Sequence, residues 1–504
     1  MSSNVTAPPP SRGATVLRNV MALGLSQVVT WSSSLLLVLV LPTYLGDVGF
    51  GKMSVAFFLA SVIGLTSDLG ANSFLTKDIA RQDVKETAGL YVYNALLLRL
   101  PLVAVGCLLG VIFVNALDYD SQTRAVFYVL IPSILLGSIT SVFSSALTGI
   151  QRIKPIAWSG ALSKVVYSAT LAILVMNGYG VVAAAAVSNL SSVMMFLIVL
   201  SYARTSVPLH IRLDPVICKA IFYGGLPFLV WQASLFVYGQ IDILQLSLMS
   251  NEAVVGWYSA AYQLVFIPAF IPTIIMTALF PLLSKLAQTE RAAFISVTRR
   301  CVNFMVLAVL PISVGTAILA PAIVDLFGYP AEFDNSIPLI AILAFVVPSA
   351  AVGTALGTCL NALDRQRQWA VVGVFAAILN PLMNFLAIPL AASHFDNAAI
   401  GASITSNISE YLMLAAALWL LPRDVLSRAE LKNLALCLVA GGIMAACVWP
   451  LRAGNIGISV LVGAGVYAMA SLALGTVRLG DALQMLTMLG YRKPKAMQTS
   501  LYGD

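Results

Sequence analysis

Two basic residues lie in the middle of long apolar segments, where a charge is costly. Arg99 lies within segment 87–116 and Lys164 within segment 153–177, and no acidic residue in either segment balances them. An ionisable group at membrane depth costs at least a few kcal/mol and is by default a functional candidate. Guanidinium and ammonium groups both bind phosphate oxygens. We therefore predict that Arg99 and Lys164 bind a phosphate-bearing substrate, with an internal ion pair, for example to Asp68, as the alternative.

Asp68 is a carboxylate near one end of an apolar helix, on the same face as Gly64 and Asn72. It lies roughly 27 Å from the predicted outer end of that helix, close to the inner interface. One interpretation is a proton- or cation-responsive group that faces a cavity. The other, which the depth favours, is a structural acceptor for backbone groups near Gly70.

Two further carboxylates lie inside apolar segments of the second half. Asp242 has Tyr238 and Gln245 one turn away, and Glu410 follows Ser406 and Asn407. They are either coupling groups for protons or sodium ions, or hydrogen-bonded structural groups. Uncharged polar residues that either line a cavity or pack helices together are Gln27, Gln232, Asn380 and Asn384. We also expect Pro268 and Pro272 to kink the apolar segment that contains them, and Asn380–Pro381 to break theirs.

The remaining reactive residue types form no catalytic or metal-binding pattern. Six cysteines include no CxxC pair, and His210 and His394 have no partner cluster, so a metal site is not expected. A nucleotide-binding GxxxxGK[ST] loop is absent, which excludes a primary pump in this chain. We expect no enzyme activity and no cofactor, apart from coupling to protons or sodium ions.

The elements that carry these residues are membrane helices. The chain has 504 residues, 60% hydrophobic and 10% charged, whereas soluble domains carry about 25% charge. Because about 20 apolar residues span a bilayer, the sequence predicts an all-α polytopic membrane protein with about 14 transmembrane helices. These are 15–45, 50–79, 87–116, 122–150, 153–177, 179–203, 216–249, 252–284, 292–320, 335–362, 366–391, 398–421, 431–450 and 456–478.

Basic residues indicate the orientation of these helices. With the N-terminus in the cytoplasm, 23 of the 28 lysines and arginines fall on the inner side. Only Lys52, Arg124 and Arg452 fall on the outer side. This is the positive-inside distribution, and it predicts that both termini are cytoplasmic. The net charge of +7 is therefore topological, and nucleic acid is not an expected partner.

A weak internal repeat divides the predicted helices. Aligning "GKMSVA" (51–56) with "GWYSAA" (256–261) places Gln27 on Gln232. This predicts two pseudo-symmetric six-helix bundles and two C-terminal helices. The predicted parts are a disordered N-terminus (1–14), the first bundle (15–203), a cytoplasmic linker (204–215), the second bundle (216–421), helices 13 and 14 (431–478), and a cytoplasmic tail (479–504).

The segment "YLGDVGFGKMSVAFFLASVIGLTSDLGANSFLTKDIAR" (44–81) resembles the N-terminal signature of Wzx-type polysaccharide flippases. "NPLMN" (380–384) and the helix count fit the same family, which belongs to the multidrug/oligosaccharidyl-lipid/polysaccharide exporter superfamily. The resemblance implies a flippase for an undecaprenyl-diphosphate-linked oligosaccharide, an O-antigen or exopolysaccharide repeat unit, in the bacterial cytoplasmic (inner) membrane. It also implies alternating access between the bundles, contact with membrane lipids, and polymerase and chain-length components as pathway partners.

Two other functions compete with this interpretation. A cation-coupled multidrug extrusion transporter of the same superfamily needs cavity acids for organic cations, and twelve helices suffice for it. A membrane glycosyltransferase, polymerase or ligase often carries a sizeable outer loop with catalytic groups. The longest predicted outer loop, 321–337, holds Asp325, Glu332 and Asp334 but no arginine or histidine.

Overall fold

The protein is described by a computed structural model that covers residues 12–82, 85–208, 210–425 and 427–476. Most of the predicted N-terminal segment and the predicted tail lie outside the described residues. The part that is described is α-helical, with short 3₁₀ turns and no β-strand. This confirms the all-α fold class.

The chain divides into two compact units, the first ending at Ser247 and the second beginning at Leu248. The helices of the first unit are α1 (Arg12–Asp68), α2 (Ala71–Gln82), α3 (Lys85–Ala116), α4 (Ser121–Gly149), α5 (Ile153–Met176), α6 (Val181–Ser206) and α7 (Pro215–Met249).

The second unit contains ten helices within the described residues. They are α8 (Glu252–Val265), α9 (Phe270–Thr289), α10 (Arg291–Ile318), α11 (Ala320–Leu326), α12 (Ile337–Leu343), α13 (Val346–Ala362), α14 (Gln366–Phe395), α15 (Ala399–Leu420), α16 (Arg428–Val448) and α17 (Ile456–Ala473). The last two correspond to predicted helices 13 and 14. They pack on α10 through an apolar cluster that includes Leu319, Met444 and Tyr467.

The first two predicted helices meet at Gly46, which interrupts α1 with φ 69° and ψ 177°. Glycine adopts this positive φ without a side-chain clash. A second interruption was not predicted: α1 ends at Asp68, and Leu69 and Gly70 have φ of 50° and 71° before α2 begins. The prediction of one continuous helix over residues 50–79 is therefore wrong, because Leu69 and Gly70 adopt a left-handed backbone and end α1.

The described residues contain eleven helices that are long and apolar enough to cross a bilayer, or twelve if the α12–α13 pair, bent by 43°, is one span. The count of fourteen is not confirmed. Two of the predicted helices are joined in α1, and the Ser, Thr, Asn and Glu residues of α15 lower its hydropathy. The protein is nevertheless a multi-pass membrane protein.

Prolines affect the helices less than the sequence suggested. Pro268 lies in a 3₁₀ turn that separates α8 from α9, as predicted, whereas Pro272 lies within α9. The predicted break at Asn380–Pro381 is wrong, because α14 runs without interruption through Pro381 and Pro389. Carbonyls freed by a proline inside a membrane helix can be satisfied by neighbouring helices.

The predicted linker 204–215 does not coincide with the boundary between the two compact units. Helix α7 follows this linker, yet it packs with the first unit and supplies the buried Ile221 to that unit's apolar core. The linker itself is held by Asn94, a fully buried residue of α3. Its Nδ2 donates to the Arg212 carbonyl over 3.0 Å, and its Oδ1 accepts from the Asp214 amide over 2.8 Å.

Candidate functional site

Arg99 and Asp68 form a buried ion pair in the first unit. Arg99 Nη1 lies 2.6 Å from Asp68 Oδ1, and both side chains are more than nine-tenths buried. The same nitrogen donates to Asn72 Oδ1 over 3.1 Å, and Asp68 Oδ1 accepts from the Asn72 backbone amide over 3.3 Å. We call these three residues the Asp68–Arg99–Asn72 network. It is the internal ion pair that the sequence predicts as the alternative to substrate contact.

The network forms where it does because α1 ends at Asp68. The two left-handed residues after it turn the chain so that Asn72, in the first turn of α2, faces back toward the Asp68 carboxylate. Arg99 reaches both residues from α3. One guanidinium therefore joins three helices, and the paired charge avoids most of the cost of an isolated ion at this depth. Arg99 Nε has no hydrogen-bond partner among the described residues.

The turn after Asp68 packs against two glycines of α7. A methyl group at Gly70 would overlap the Gly225 carbonyl oxygen and lie 2.7 Å from the Leu229 amide nitrogen. A methyl group at Gly225 would overlap the Leu69 carbonyl oxygen, and one at Gly224 would overlap the Phe74 ring. The helix break therefore brings two backbones into direct contact, which requires glycine on both sides.

Gln232 also lies beside this region. Its Nε2 is 3.5 Å from Ser73 Oγ, the residue after Asn72. Gln27, its predicted counterpart in the first half, is exposed on α1. Of the two predicted cavity glutamines, Gln232 thus lies near the Asp68–Arg99–Asn72 network.

Lys164 has a different environment from Arg99. It is half-buried in the middle of α5, and its Nζ lies 5.4 Å from the centre of the Tyr167 ring. Within the described residues, Lys164 forms no ion pair with a carboxylate at 4 Å or less. The cation is held by a ring face and is available to an anion.

The two predicted coupling carboxylates, Asp242 and Glu410, both have interaction partners. Asp242 is buried in α7, three residues before the buried Gln245, and it has an interaction partner. Glu410 is half-buried in α15 and is likewise engaged. One turn before it, Asn407 Nδ2 donates to the Ile342 carbonyl over 2.9 Å, which ties α15 to α12. The role of both acids in coupling stays a prediction.

Asn380 and Asn384 belong to a buried polar ladder between α14 and α15. Asn384 Nδ2 donates to Asn380 Oδ1, and Asn380 Nδ2 donates to Ser409 Oγ, both over 3.3 Å. Thr405 donates to Asn384 Oδ1. Both asparagines are at most 1% exposed, so the structure places them between two helices and not at an open surface.

Lys52 forms an ion pair whose partner could not be predicted from the sequence. Its Nζ lies 2.6 Å from Asp120 Oδ2 and 3.0 Å from Gln122 Oε1. Asp120 is also the N-cap of α4, where it accepts from the Gln122 amide. Both residues fall in predicted outer segments, so the sequence is consistent with a pair on the outer side. The sequence does not indicate which outer carboxylate Lys52 would bind.

Comparisons with known proteins agree with this architecture. The lipid II flippase MurJ, in an inward closed conformation, superposes with a TM-score of 0.66 at 15% identity, covering 91% of this chain and 98% of that one. The eukaryotic MATE transporter AtDTX14 gives 0.54 at 16% identity, covering 90% and 100%. At these identities the likeness shows a shared fold.

Sequence comparison gives a relative and a family. The chain is 23% identical over 248 residues to the probable flippase AglR of Haloferax volcanii, which is 47% of this chain. It spans about half the length of that curated relative, 51%. The family model described as polysaccharide biosynthesis protein matches residues 16–287. Since this match covers more than half of the chain, the chain belongs to the polysaccharide biosynthesis protein family.

Proposed function

We propose that the protein is a flippase that moves a lipid-linked oligosaccharide across a membrane. The family match and the fold shared with the lipid II flippase MurJ support this class of function. The relative AglR is named as a probable flippase. In this proposal the protein is a transporter and not an enzyme.

The observation that carries the proposal is the environment of Lys164. It is a mid-helix cation with an aromatic ring beside it and no carboxylate within 4 Å in the described chain. Arg99, by contrast, already has its counter-ion. An unmatched cation at this depth is stabilised by an anion that passes through, and a diphosphate is such an anion.

The substrate we propose is an undecaprenyl-diphosphate-linked repeat unit of O-antigen or exopolysaccharide, moved by alternating access of two helical bundles. The diphosphate contacts Lys164, and Arg99 when its pair with Asp68 opens. Asp242 and Glu410 couple the cycle to protons or sodium ions. The membrane is the bacterial cytoplasmic (inner) membrane, both termini are cytoplasmic, and pathway partners are polymerase and chain-length components.

The second candidate is a cation-coupled multidrug extrusion transporter. Its support is the fold shared with AtDTX14. The Asp68–Arg99 pair weighs against it, because a carboxylate already neutralised by an arginine attracts an organic cation less strongly than a free one does.

Deleting the gene and identifying the accumulated lipid tests the proposal. We expect a lipid-linked oligosaccharide to build up on the cytoplasmic leaflet. Restoring the gene as Lys164→Gln should recover about a tenth of export or less, since a charge-assisted hydrogen bond contributes roughly 1.5–3 kcal/mol and 1.4 kcal/mol is a factor of ten. Lys164→Arg should be milder.

The matched control is Lys219→Gln. Lys219 also lies beside a tyrosine ring, 5.9 Å from the centre of Tyr223, but its side chain is exposed. This variant should export normally. If no lipid-linked oligosaccharide accumulates and the deletion strain instead loses resistance to organic cations, the multidrug function replaces the flippase.

A further inference from the structure

The inner half of α4 lines a polar cleft within the first unit. The cleft has a volume of about 300 Å³ and lies among α2, α4, α5 and α6. Seven serine and threonine side chains line it, five of them from the α4 segment "TSVFSSALT" (140–148), and no lining residue is charged. It lies toward the end of α4 that the basic residues predict to be cytoplasmic.

Most of these hydroxyl groups already donate their proton in a hydrogen bond within the protein. Four of them donate to carbonyls of α4 itself over 2.7–2.9 Å: Thr140, Ser141, Ser145 and Thr148. A hydroxyl has one donor proton and two acceptor lone pairs. These four side chains therefore offer acceptor capacity toward the cleft and no further donor.

Three lining groups supply donors: Ser144, Ser192 and Asn72. The Ser192 hydroxyl of α6 makes no hydrogen bond within the described chain, whereas Thr76 Oγ1 already donates to the Ser145 carbonyl over 3.3 Å. Ser144 Oγ is a buried atom that has no hydrogen-bond partner among the described residues. Asn72 Oδ1 already accepts a hydrogen bond from Arg99, so the Asn72 side chain offers its Nδ2 amide as a donor to the cleft. A ligand that fits must both donate and accept hydrogen bonds.

The size and lining of the cleft narrow the ligand class. Its volume is at the lower end of the range for small-molecule sites, about 300–1,000 Å³. A metal ion would need close oxygen ligands, usually with a carboxylate, and no acid lines the cleft. A phosphate would need a cation, and none lines it either. Ile156 and Met195 add an apolar wall.

We propose that this cleft binds one uncharged sugar residue of the transported glycan. A sugar ring presents hydroxyl groups, which donate and accept, beside C–H faces, which pack on apolar side chains. The inference rests on the proposed function and adds a subsite for the glycan, separate from the contact of Lys164 with the diphosphate. Asn72 is shared between this subsite and the Asp68–Arg99–Asn72 network.

Binding to the purified protein in nanodiscs tests the subsite. The two probes are the lipid-linked oligosaccharide extracted from the deletion strain and undecaprenyl diphosphate without sugar. The variant Thr140→Val/Ser144→Ala removes one acceptor and one donor with little change in volume. We expect it to bind the oligosaccharide about tenfold more weakly, the effect of one to two neutral hydrogen bonds, and to bind the sugar-free lipid as wild type does.

Two other variants complete the test. Thr289→Val removes a threonine with the same bond to its own helix, but on an exposed turn, and should bind both probes normally. Lys164→Gln should weaken both probes alike. Ser141→Ala is a milder cleft variant, with the same expected selectivity, if the double variant fails to fold.

The outcomes separate this inference from the proposed function. Unchanged oligosaccharide binding by the cleft variants, or equal weakening of both probes, would overturn the sugar subsite while the effect of Lys164→Gln stands. Failure of the wild-type protein to bind either probe would overturn the flippase proposal and the subsite with it.

Discussion

Arg99 Nη1 donates to Asp68 Oδ1 over 2.6 Å, so a guanidinium from α3 closes on the last residue of α1. The two side chains are 7% and 6% exposed, and the Asn72 side chain completes the contact. The first unit therefore contains a neutral pair where the sequence shows two separate charges. This pair has direct consequences for mutagenesis.

Removing one member of the pair should destabilise the protein more than removing both. Asp68→Asn or Arg99→Gln leaves one buried charge without a counter-ion, which costs about 3–5 kcal/mol in soluble proteins. The double variant leaves no buried charge and should recover much of the lost stability. The measurement is the yield of monodisperse protein and its Tm in detergent.

Arg367→Gln is the matched control for this series. Arg367 is exposed in the first turn of α14, so its loss should leave yield and Tm unchanged. If Arg99→Gln is as stable as wild type but does not export glycan, Arg99 acts on the substrate and the structural interpretation of the pair is wrong.

Glycine is required at Gly225 and not at another glycine of the same helix. Gly225→Ala should lower the Tm by several degrees, because the new methyl group overlaps the Leu69 carbonyl oxygen and the backbones must separate. Gly239→Ala in α7 has no atom within 4 Å of the new methyl group. That variant should be neutral or stabilised by up to about 1 kcal/mol. Equal Tm values for the two variants would contradict the close packing.

The Lys52–Asp120 pair should make stability depend on pH in the acid range. The hydrogen bond from Lys52, together with one from the Gln122 amide, lowers the pKa of Asp120 below its usual range. A carboxylate with a lowered pKa stabilises the folded state above its unfolded-state pKa of about 3.9, and this contribution is lost as the pH falls through the folded-state pKa. Thermal unfolding measured between pH 7 and pH 3 reports it.

The comparison is between wild type and Asp120→Asn. The wild-type protein should be the more stable at pH 7, and the difference should shrink toward zero below about pH 4. Asp118→Asn is the control, since Asp118 is exposed and its side chain has no ion pair within the described chain. A difference that stays constant with pH would show that the asparagine acts through capping of α4 and not through charge.

The local role of Asp68 could be predicted from the sequence, whereas its pair with Arg99 could be named only as the alternative to substrate contact. Its place before "LG" suggested an acceptor for backbone groups, and it accepts from the Asn72 amide. Arg99 lies 31 residues away on another helix. Choosing it among the other charged residues requires the packing of α1 against α3, and apolar segments contain almost no information about which neighbour they face.

The polar cleft illustrates the same limit. The hydroxyl-rich run 140–148 is visible in the sequence, but a serine or threonine in a membrane helix usually bonds to its own backbone, and four of these five do. Whether their free lone pairs face lipid, another helix or a cleft depends on where α2 and α6 pass. Interruptions were easier to predict at Gly46 than at Leu69, because a leucine does not indicate a left-handed backbone.

The packing of α7 against the first unit has a consequence for biosynthesis. The chain leaves the ribosome from its N-terminus, so α1 to α6 emerge before Ile221, Gly225 and Leu229 do. Until then, the turn at Leu69–Gly70 lacks the helix that covers it. The first unit is therefore completed only when synthesis has passed the linker, and Asn94, by holding residues 212 and 214, sets where the arriving helix starts.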